Sequence, residues 1–457
     1  MYHYIHIIIK INEVILHERK LVMDFVVLKR SNLKRNIIIG ILVVGIISVV
    51  VLQFTRAKYR NTQSIPLVNG TINYTLADLN IVAITIDGEE SDTLPEGNYE
   101  LLDTSYCTID GEDANLTINW NTETQALSIT PFTTKGTKCY LDFEEVISVS
   151  DTLLANYPMQ LTRNDFSITV TNTTTGTIYY EDTSKGRTYY FAGNPTDNWV
   201  SFGGFYWRII RINEDGTVRM IYQGTSANTT GTSTQIQTSA FNSTANNNMY
   251  VGYMYESNQV HGLTSSSTIK GILDEWYQNN LTGVSNKIDG NVGFCGDREP
   301  STSETTSNGQ GGTGTTITYY GAYIRLTQSN NVNPTFECPN SSDLYTISGS
   351  SQGNKALTYP IGLITADEVA YAGGVYASSN QGYYLYTNQE YWTMSPSYIN
   401  KLGQKTFLGC IFFVRAGGNL NASSVNGTYS VRPVINLKAD VTISSGNGRS
   451  TSPYVIS

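Results

Sequence analysis

Apolar residues are distributed along this chain in two ways: one long uninterrupted run near the N-terminus, and short alternating stretches after it. Residues Ile37 to Leu52 carry no charge and a single serine among Ile, Leu, Val and Gly, and Gln53 and Phe54 extend the run. A helix needs about 17–25 mostly apolar residues to cross a bilayer. The run therefore predicts a transmembrane anchor at residues 37–54, so that the chain contacts the membrane through Ile37–Phe54.

The charges on either side of this run predict its orientation. Lys29, Arg30, Lys34 and Arg35 precede it, and an excess of Lys and Arg marks the cytoplasmic side of a span. Residues 1–36 are therefore predicted to be a cytoplasmic basic segment of a single-pass cell-membrane protein, with the C-terminal domains extracellular. A cleaved signal peptide is one alternative, but the small-residue site that it requires is missing after the run. A buried core helix is another, and the true start could be Met1 or Met23.

Alternating apolar and polar positions dominate residues 60–149. The stretches 116–120 and 126–129 flank a turn-like Asn-Thr-Glu-Thr segment, which is a hairpin pattern with a period of two residues. Asp87-Gly88 and Asp110-Gly111 add two further turn signals. These patterns predict a small β-sandwich domain.

Residues 150–177 lack such periodicity. About two helical turns are predicted before Pro158, which cannot continue a helix. The segment from Thr169 to Thr177 is rich in Thr and Asn, as linkers are. We therefore expect residues 150–177 to connect two domains.

Residues 178–457 are predicted to form a β-rich module with a few short helices. The stretches 205–212 and 217–222 alternate around an Asp-Gly turn and predict a hairpin. A helix is predicted over 267–281 from apolar positions at i, i+3 and i+4. A second helix begins with the capping box Thr365–Glu368. With the transmembrane helix and the β-sandwich, the fold class predicted for the chain is α+β.

The composition and charge of the chain exclude one class of partner. Only 15% of the residues are charged, against about 25% in an average soluble protein. Past residue 60 the chain holds 19 Lys or Arg against 35 Asp or Glu, a net charge of −16. Nucleic-acid binding needs basic residues that displace phosphate counterions, so no nucleic-acid partner is expected.

Cysteine positions predict two disulfides. Cys107 and Cys139 lie on either side of the predicted 116–129 hairpin, and Cys295 and Cys338 bracket a low-complexity loop. Two cysteines in one small exported domain usually pair. Cys410 lies in an apolar stretch and is predicted to be a buried free thiol.

No catalytic or metal-binding constellation is predicted, and no cofactor. His261 is the one histidine beyond the apolar run, and its polar surroundings predict a solvated loop residue. Gly349–Gly353 matches the G-x-S-x-G pattern, but no histidine follows it to complete a triad. Gly309–Gly314 matches G-x-G-x-x-G, but Ser- and Thr-rich segments flank it where a strand and a helix are required.

Four motifs in residues 185–440 carry a resemblance to a known group of proteins. They are Trp199–Ile210, Leu363–Val369, Tyr391–Pro396 and Val431–Leu437. In this order they resemble a module of exported, uncharacterised proteins of gut Firmicutes and their wall-less relatives. The module resembles, more distantly, the C-type-lectin-like fold shared with formylglycine-generating enzymes, and fold alone does not imply function. The paired C-terminal cysteines of those enzymes are missing, since Cys410 stands alone, and their redox chemistry is not expected.

Aromatic residues crowd one segment of the module, from Tyr376 to Tyr398. Aromatic faces beside Asn and Ser suit contacts with sugars or peptides, although a strand with alternate residues buried accounts for the same pattern. The lectin-like resemblance implies recognition by loops between late strands, with Trp392 in the core. Under that reading the candidate ligand-binding residues are Tyr376, Tyr383, Tyr398 and Asn388.

The function predicted from the sequence is a non-enzymatic, membrane-anchored surface protein that presents an extracellular, lectin-like or adhesin-like recognition domain. Its expected partner is an extracellular glycan or protein. Two alternatives remain open: a structural envelope or matrix subunit, and a cell-wall-modifying enzyme. Self-assembly without a ligand would favour the first alternative, and turnover of wall material would favour the second.

Overall fold

A computed structural model describes residues 79–97, 99–122, 124–130, 136–301, 311–327, 331–402 and 406–456. The chain divides between Glu145 and Val146 into two compact units. Of the described residues, 39% lie in strands and 15% in helices. The structure is therefore built mainly from β-sheet.

The predicted fold class, α+β with an N-terminal transmembrane helix, is corrected on both points. The helix signals at Ser267 and Thr365 hold only for short segments, whereas the Tyr-, Thr- and Val-rich remainder pairs into sheets. No helix within the described ranges is long and apolar enough to cross a membrane. The predicted anchor at 37–54 and the basic segment 1–36 lie outside the described residues. The predicted single-pass membrane localisation is therefore not supported.

The first unit has strands that alternate between inward and outward side chains. In chain order they are β1 (Leu79–Ile86), β2 (Glu89–Ser91), β3 (Tyr99–Leu101), β4 (Tyr106–Ile109), β5 (Glu112–Ala114), β6 (Thr117–Asn121), β7 (Ala126–Thr130) and β8 (Thr137–Glu145). One sheet has the order β2-β1-β8-β4-β5, with β3 also paired to β8 and β1 parallel to β8. The hairpin β6–β7 forms a separate two-stranded sheet.

The two sheets of the first unit share one core, which is consistent with the predicted β-sandwich. Leu127 and Ile129 of the hairpin pack with Leu141 and Phe143 of β8. Cys107 and Cys139 face each other on β4 and β8 and form the predicted disulfide. Asp-Gly pairs close the β1–β2 and β4–β5 hairpins with positive φ at both turn residues, the conformation of tight two-residue hairpins.

The described strands of the second unit lie in two large sheets and two small ones. They are β9 (Met159–Leu161), β10 (Thr177–Thr183), β11 (Gly186–Tyr190), β12 (Trp199–Phe202), β13 (Phe205–Ile212), β14 (Val218–Gly224), β15 (Gln237–Ser239), β16 (Met254–Tyr255), β17 (Ser265–Ser266), β18 (Phe294–Cys295), β19 (Thr318–Tyr319), β20 (Leu344–Tyr345), β21 (Tyr391–Leu402), β22 (Thr406–Val414), β23 (Leu420–Ser424), β24 (Tyr429–Val431), β25 (Val434–Leu437), β26 (Ile443–Ser445) and β27 (Tyr454–Ile456).

The first large sheet has the order β26-β27-β12-β13-β11-β10-β9, and β14 joins β13 to β25. The second large sheet has the order β15-β24-β21-β22-β23, with β19 beside β21. Trp207 of β13 and Trp392 of β21 are fully buried in the common core. Each indole nitrogen donates to a backbone carbonyl, Trp207 to Phe202 and Trp392 to Ser239. The predicted core position of Trp392 is therefore confirmed.

Helices of the second unit are short. The α-helices are α1 (Val149–Asn156), α2 (Thr268–Asn280), α3 (Gly321–Thr327) and α4 (Ala366–Ala372), and the described 3-10 helices are Gly231–Thr234, Asn248–Val251, Thr282–Lys287 and Ser341–Asp343. Ser267 caps α2, and Thr365 and Glu368 form both hydrogen bonds of the predicted capping box of α4. Gly373 ends α4 in the left-handed conformation, which glycine adopts without strain.

The expected linker, residues 150–177, is instead a packed part of the second unit. Its first residues form most of α1, and β9 pairs parallel to β10. Arg163 donates to the carbonyls of Ala370 and Tyr371 at the end of α4. These backbone-directed contacts leave no apolar periodicity, which is why the sequence pattern resembled a linker.

Candidate functional site

A cleft of about 430 Å³ opens in the second unit beside the N-terminus of α4. The turn between β10 and β11, the strands β13 and β14, and the loops around β18 and β20 form its walls. Its charged lining residues are Lys185, Arg211, Glu214, Asp215, Arg219, Asp297, Arg325, Glu337, Asp367 and Glu368. Charged residues are seldom fully buried unless they are paired, so the pairing of this set decides what the cleft can bind.

Two arginines from adjacent strands meet one carboxylate at the floor of the cleft. Arg211 of β13 and Arg219 of β14 are direct cross-strand partners, next to an irregularity in the β13–β14 register. Their Nε atoms lie 3.1 and 2.6 Å from Glu368 Oε1. Like charges placed directly opposite are unfavourable in a sheet, and the buried carboxylate of Glu368 offsets the repulsion.

The backbone environment fixes these groups further. Glu368 Oε2 accepts the Thr365 amide, so the capping box also holds the carboxylate in place. Arg219 donates to the carbonyls of Gly293 and Leu363. Burial lowers the pKa of Arg219 to about 10, although Glu368 opposes that shift.

A third arginine joins two carboxylates on another wall. Arg325 of α3 contacts Asp367 through Nε at 2.9 Å and Nη2 at 3.0 Å, and its Nη2 lies 2.5 Å from Asp297 Oδ2. The Thr335 amide donates to Asp367 Oδ1. Both oxygens of Asp367 are therefore satisfied, and Arg325 bridges it to Asp297.

Asp297 is the incompletely paired member of this group. Its side chain is 4% exposed, and its Oδ1 has no hydrogen-bond partner among the described residues. Burial raises the pKa of Asp297 to about 6 against the opposing pull of Arg325, and Asp367 and Asp343 add to the rise. A buried carboxylate oxygen without a donor is unusual in a folded protein.

Arg211 also keeps unused donors. Among the described residues it donates through Nε alone, so its two Nη groups are left for the cleft that it lines. Its guanidinium carbon lies 4.9 Å from the centre of the Phe336 ring, which supports the guanidinium by a cation–π contact. The cleft therefore holds a positioned cation with free donors as well as an acceptor without a donor.

The predicted Cys295–Cys338 disulfide forms and ties down one wall. Cys338 follows Glu337, whose carboxylate accepts the Ser184 amide from the β10–β11 turn across the mouth of the cleft. Lys185 of the same turn lies 3.1 Å from Gln352 Oε1. The disulfide thus holds the loop that meets this turn.

Comparison of the chain with protein-family models, with curated proteins and with solved structures finds no match. The resemblance to the module of exported proteins stays a prediction.

The sequence-predicted ligand residues are not brought together in one site. Tyr376 and Tyr398 are half-buried, and Tyr376 packs on Phe412 while Tyr398 packs on Tyr319 and Tyr323. Tyr383 is 3% exposed in the core.

Asn388 is exposed in a turn with a φ of 59°. Binding by these four residues stays an untested prediction. The exposed face expected for Tyr383 is corrected, because its ring fills the core.

His261 is not the solvated loop residue that its sequence neighbours predicted. Its side chain is 25% exposed, with Nδ1 3.1 Å from Asp343 and Nε2 3.4 Å from Glu299. The hydrogen bond to Asp343 raises the pKa of His261. Asp343 is itself fully buried and pairs with Arg298.

Cys410 is free and buried, as predicted, and burial raises the pKa of its thiol to about 11. Within the described ranges, no group of three His, Cys, Asp or Glu side chains is arranged to hold a metal ion.

Sequence reasoning missed the charged residues of the cleft. The capping box identified Asp367 and Glu368 only as a helix start. One usable signal was the pair of arginines in the apolar strand Phe205–Ile212, since charges in a buried strand require partners.

Proposed function

We propose that this chain is a non-enzymatic, exported recognition protein whose second unit binds a small polar ligand in the charged cleft. The volume of the cleft falls within the range of about 300–1,000 Å³ typical of small-molecule sites. The two disulfides favour export, because disulfides persist in oxidising compartments. The resemblance to a module of exported proteins is likewise consistent with export.

The observation that carries the proposal is Asp297. Its Oδ1 is buried, has no partner among the described residues, and belongs to a side chain that lines the cleft. Leaving a buried acceptor without a donor costs roughly 1–3 kcal/mol, and more when the group is charged. A ligand that donates a hydrogen bond to this oxygen would recover that free energy, and the recovered free energy would favour binding of the ligand in the cleft.

The test uses the full chain, an array of glycans and a library of amino acids and short peptides. Ser341 is exposed and lines the cleft, whereas its neighbour Ser342 is exposed and does not line it. Ser341→Trp would place a large side chain at the cleft, and Ser342→Trp is its matched control. Saturable binding by the wild type and by Ser342→Trp, but not by Ser341→Trp, supports the proposal.

Other outcomes overturn it. Binding that Ser341→Trp leaves unchanged would place recognition elsewhere on the chain. Self-assembly with no ligand in either library would favour the structural envelope subunit. Turnover of a wall-derived oligomer would favour the enzyme.

A further inference from the structure

Resting on the proposed function, we propose that the ligand of the cleft is a small zwitterion, such as a free amino acid or a dipeptide. Its ammonium group pairs with Asp297 Oδ1, and its carboxylate pairs with the Nη groups of Arg211. This assignment follows from two hydrogen-bonding groups of opposite charge that lack partners among the described residues, the Oδ1 atom of Asp297 and the Nη groups of Arg211.

The anion-binding half rests on the geometry of Arg211. Its Nε is held by Glu368, and its guanidinium stacks on Phe336. The two Nη groups therefore form a positioned fork, and such a fork matches the two oxygens of a carboxylate. Because the side chain is already fixed, little conformational entropy is lost when a carboxylate binds.

The cation-binding half rests on the surroundings of Asp297. One oxygen takes Arg325, and the other has no partner among the described residues. The carboxylates of Asp367 and Asp343 also act on Asp297, which makes this point of the cleft favourable for positive charge. An ammonium group supplies the missing hydrogen bond and a second positive charge beside two carboxylates that share Arg325.

The rim and the size of the cleft restrict the ligand further. Around the mouth, Glu214, Asp215 and Glu337 outnumber Lys185, so the cleft disfavours a ligand with several negative charges. The cavity of about 430 Å³ has room for an amino acid or a dipeptide. A zwitterion offers a partner both to Asp297 Oδ1 and to the Nη groups of Arg211, whereas a neutral saccharide leaves Arg211 and Arg219 sharing the single carboxylate of Glu368.

The pH dependence gives an independent readout. Protonation of Asp297 removes the acceptor, so the affinity for a free amino acid should fall as the pH falls through about 6. The charged groups around Asp297 are Arg325, Asp367 and Asp343, and Asp343 in turn faces Arg298 and His261. Because His261 also titrates in this region, His261→Asn should keep the fall in affinity and Asp297→Asn should lose it.

The experiment is a calorimetric titration of the full chain with the twenty amino acids and with alanyl-alanine. Each probe that binds is repeated as its N-acetyl form, which lacks the ammonium group, and as its carboxamide, which lacks the carboxylate. We expect at least one free probe to bind. Both of its blocked derivatives should lose affinity by about tenfold or more. Asp297→Asn should abolish the preference over the N-acetyl form, and Arg211→Gln should abolish the preference over the carboxamide.

Each failure has its own meaning. Equal binding of free and blocked probes overturns the zwitterion assignment. The zwitterion assignment is also overturned if only neutral glycans bind. If Ser341→Trp removes that glycan binding, the proposed function is preserved. Binding of no probe and no glycan overturns both. If Arg211→Gln fails to fold, the blocked probes and the pH profile of the wild type decide the question.

Discussion

The charged cleft and the tyrosine segment 376–398 both bury polar side chains, but they do so differently. In the cleft, arginines and carboxylates are paired across elements that are distant in sequence, and one carboxylate oxygen is left over. In the tyrosine segment, aromatic rings fill the core, and Tyr391 donates its hydroxyl to the Leu385 carbonyl. Tyr384 Oη also lacks a partner among the described residues, but an unpaired neutral hydroxyl costs less than an unpaired charge.

Burial therefore has a different energetic consequence for aromatic side chains and for charged side chains. An aromatic side chain is stabilised by burial itself, so a dense aromatic segment needs no ligand to explain it. A buried charge is stabilised only by its partners, and incomplete pairing therefore points to a missing partner. For this reason we assign recognition to the cleft and a packing role to most of the tyrosine segment.

The largest expected effect is on the aromatic side of the comparison. Trp392→Ala removes a fully buried indole and its hydrogen bond to Ser239. We expect the free energy of unfolding to fall by about 3–5 kcal/mol, as for other buried large-to-small changes. Urea denaturation measures this, with Trp392→Phe as the control that keeps an aromatic ring and should cost less. A loss no larger than that of a surface change would mean that the segment is not core.

A comparable loss is expected from the charged side. Glu368→Gln keeps the volume and the capping geometry but leaves Arg211 and Arg219 without their countercharge. Removing one partner of a buried ion pair typically costs about 3–5 kcal/mol. The control is Asp182→Asn in the exposed pair with Arg187, where about 0–1 kcal/mol is expected. Equal losses in the two variants would contradict the claim that burial makes the cleft pairs important.

The disulfide of the cleft wall should have a somewhat smaller effect. Replacing both Cys295 and Cys338 by serine should lower the stability of the second unit by about 2–4 kcal/mol. The double substitution should also weaken binding of the amino acid or dipeptide that the cleft takes up, because the loop that carries Glu337 is released. Cys410→Ala is the control that removes a cysteine while keeping the disulfide. Unchanged binding after removal of the disulfide would separate this loop from the site.

The pH dependence of stability sharpens the role of Asp297. Its folded pKa of about 6 lies above its ordinary value of 3.8, so the native state holds the proton more tightly than the unfolded state. The stability that Asp297 contributes is therefore greatest at low pH and is lost as the pH rises through about 6. The stability of the wild type relative to Asp297→Asn should therefore fall as the pH rises from about 3.8 to about 6, and the difference between their unfolding midpoints should be constant outside that range. A pH-independent difference would refute the assignment.

His261 supplies the contrast in a different window. Because its pKa is raised above 6.5, its contribution is present below that value and is lost as the pH rises through the folded pKa. His261→Asn should therefore change the unfolding midpoint at mildly acidic pH and leave it nearly unchanged at alkaline pH. The reverse dependence would show that the contact with Asp343 does not stabilise the charged ring.

The smallest effects are expected at Asn388. Asn388→Gly keeps a residue that tolerates the positive φ of this exposed turn, and surface changes usually alter stability by less than about 0.5 kcal/mol. Binding in the cleft should be unchanged. If Asn388→Gly weakened binding of the amino acid or dipeptide, that result would indicate that the tyrosine segment 376–398 contributes to ligand binding.

Much of the local structure could be predicted from the sequence. The hairpin β6–β7, the hairpin β13–β14, the capped helices α2 and α4, and both disulfides follow from turn residues, periodicity and cysteine placement. The region 150–177 could not be predicted in the same way, because its anchoring through Arg163 reaches carbonyls 207 and 208 positions away. The predicted α+β class also failed, since short helix signals say nothing about how much sheet surrounds them.

The sequence by itself determined which segments extend, turn and cap, because those choices depend on neighbouring side chains and backbone preferences. The placement of the cysteines also predicted both disulfides, whereas the core position of Trp392 was implied by the lectin-like resemblance. Only the tertiary structure decided that Arg211 meets Glu368 across 157 positions and that Arg325 meets Asp297 across 28. Charge pairing has no sequence period. The cleft, and the oxygen of Asp297 that it leaves without a partner, therefore become visible only when the sheets and α4 are packed together.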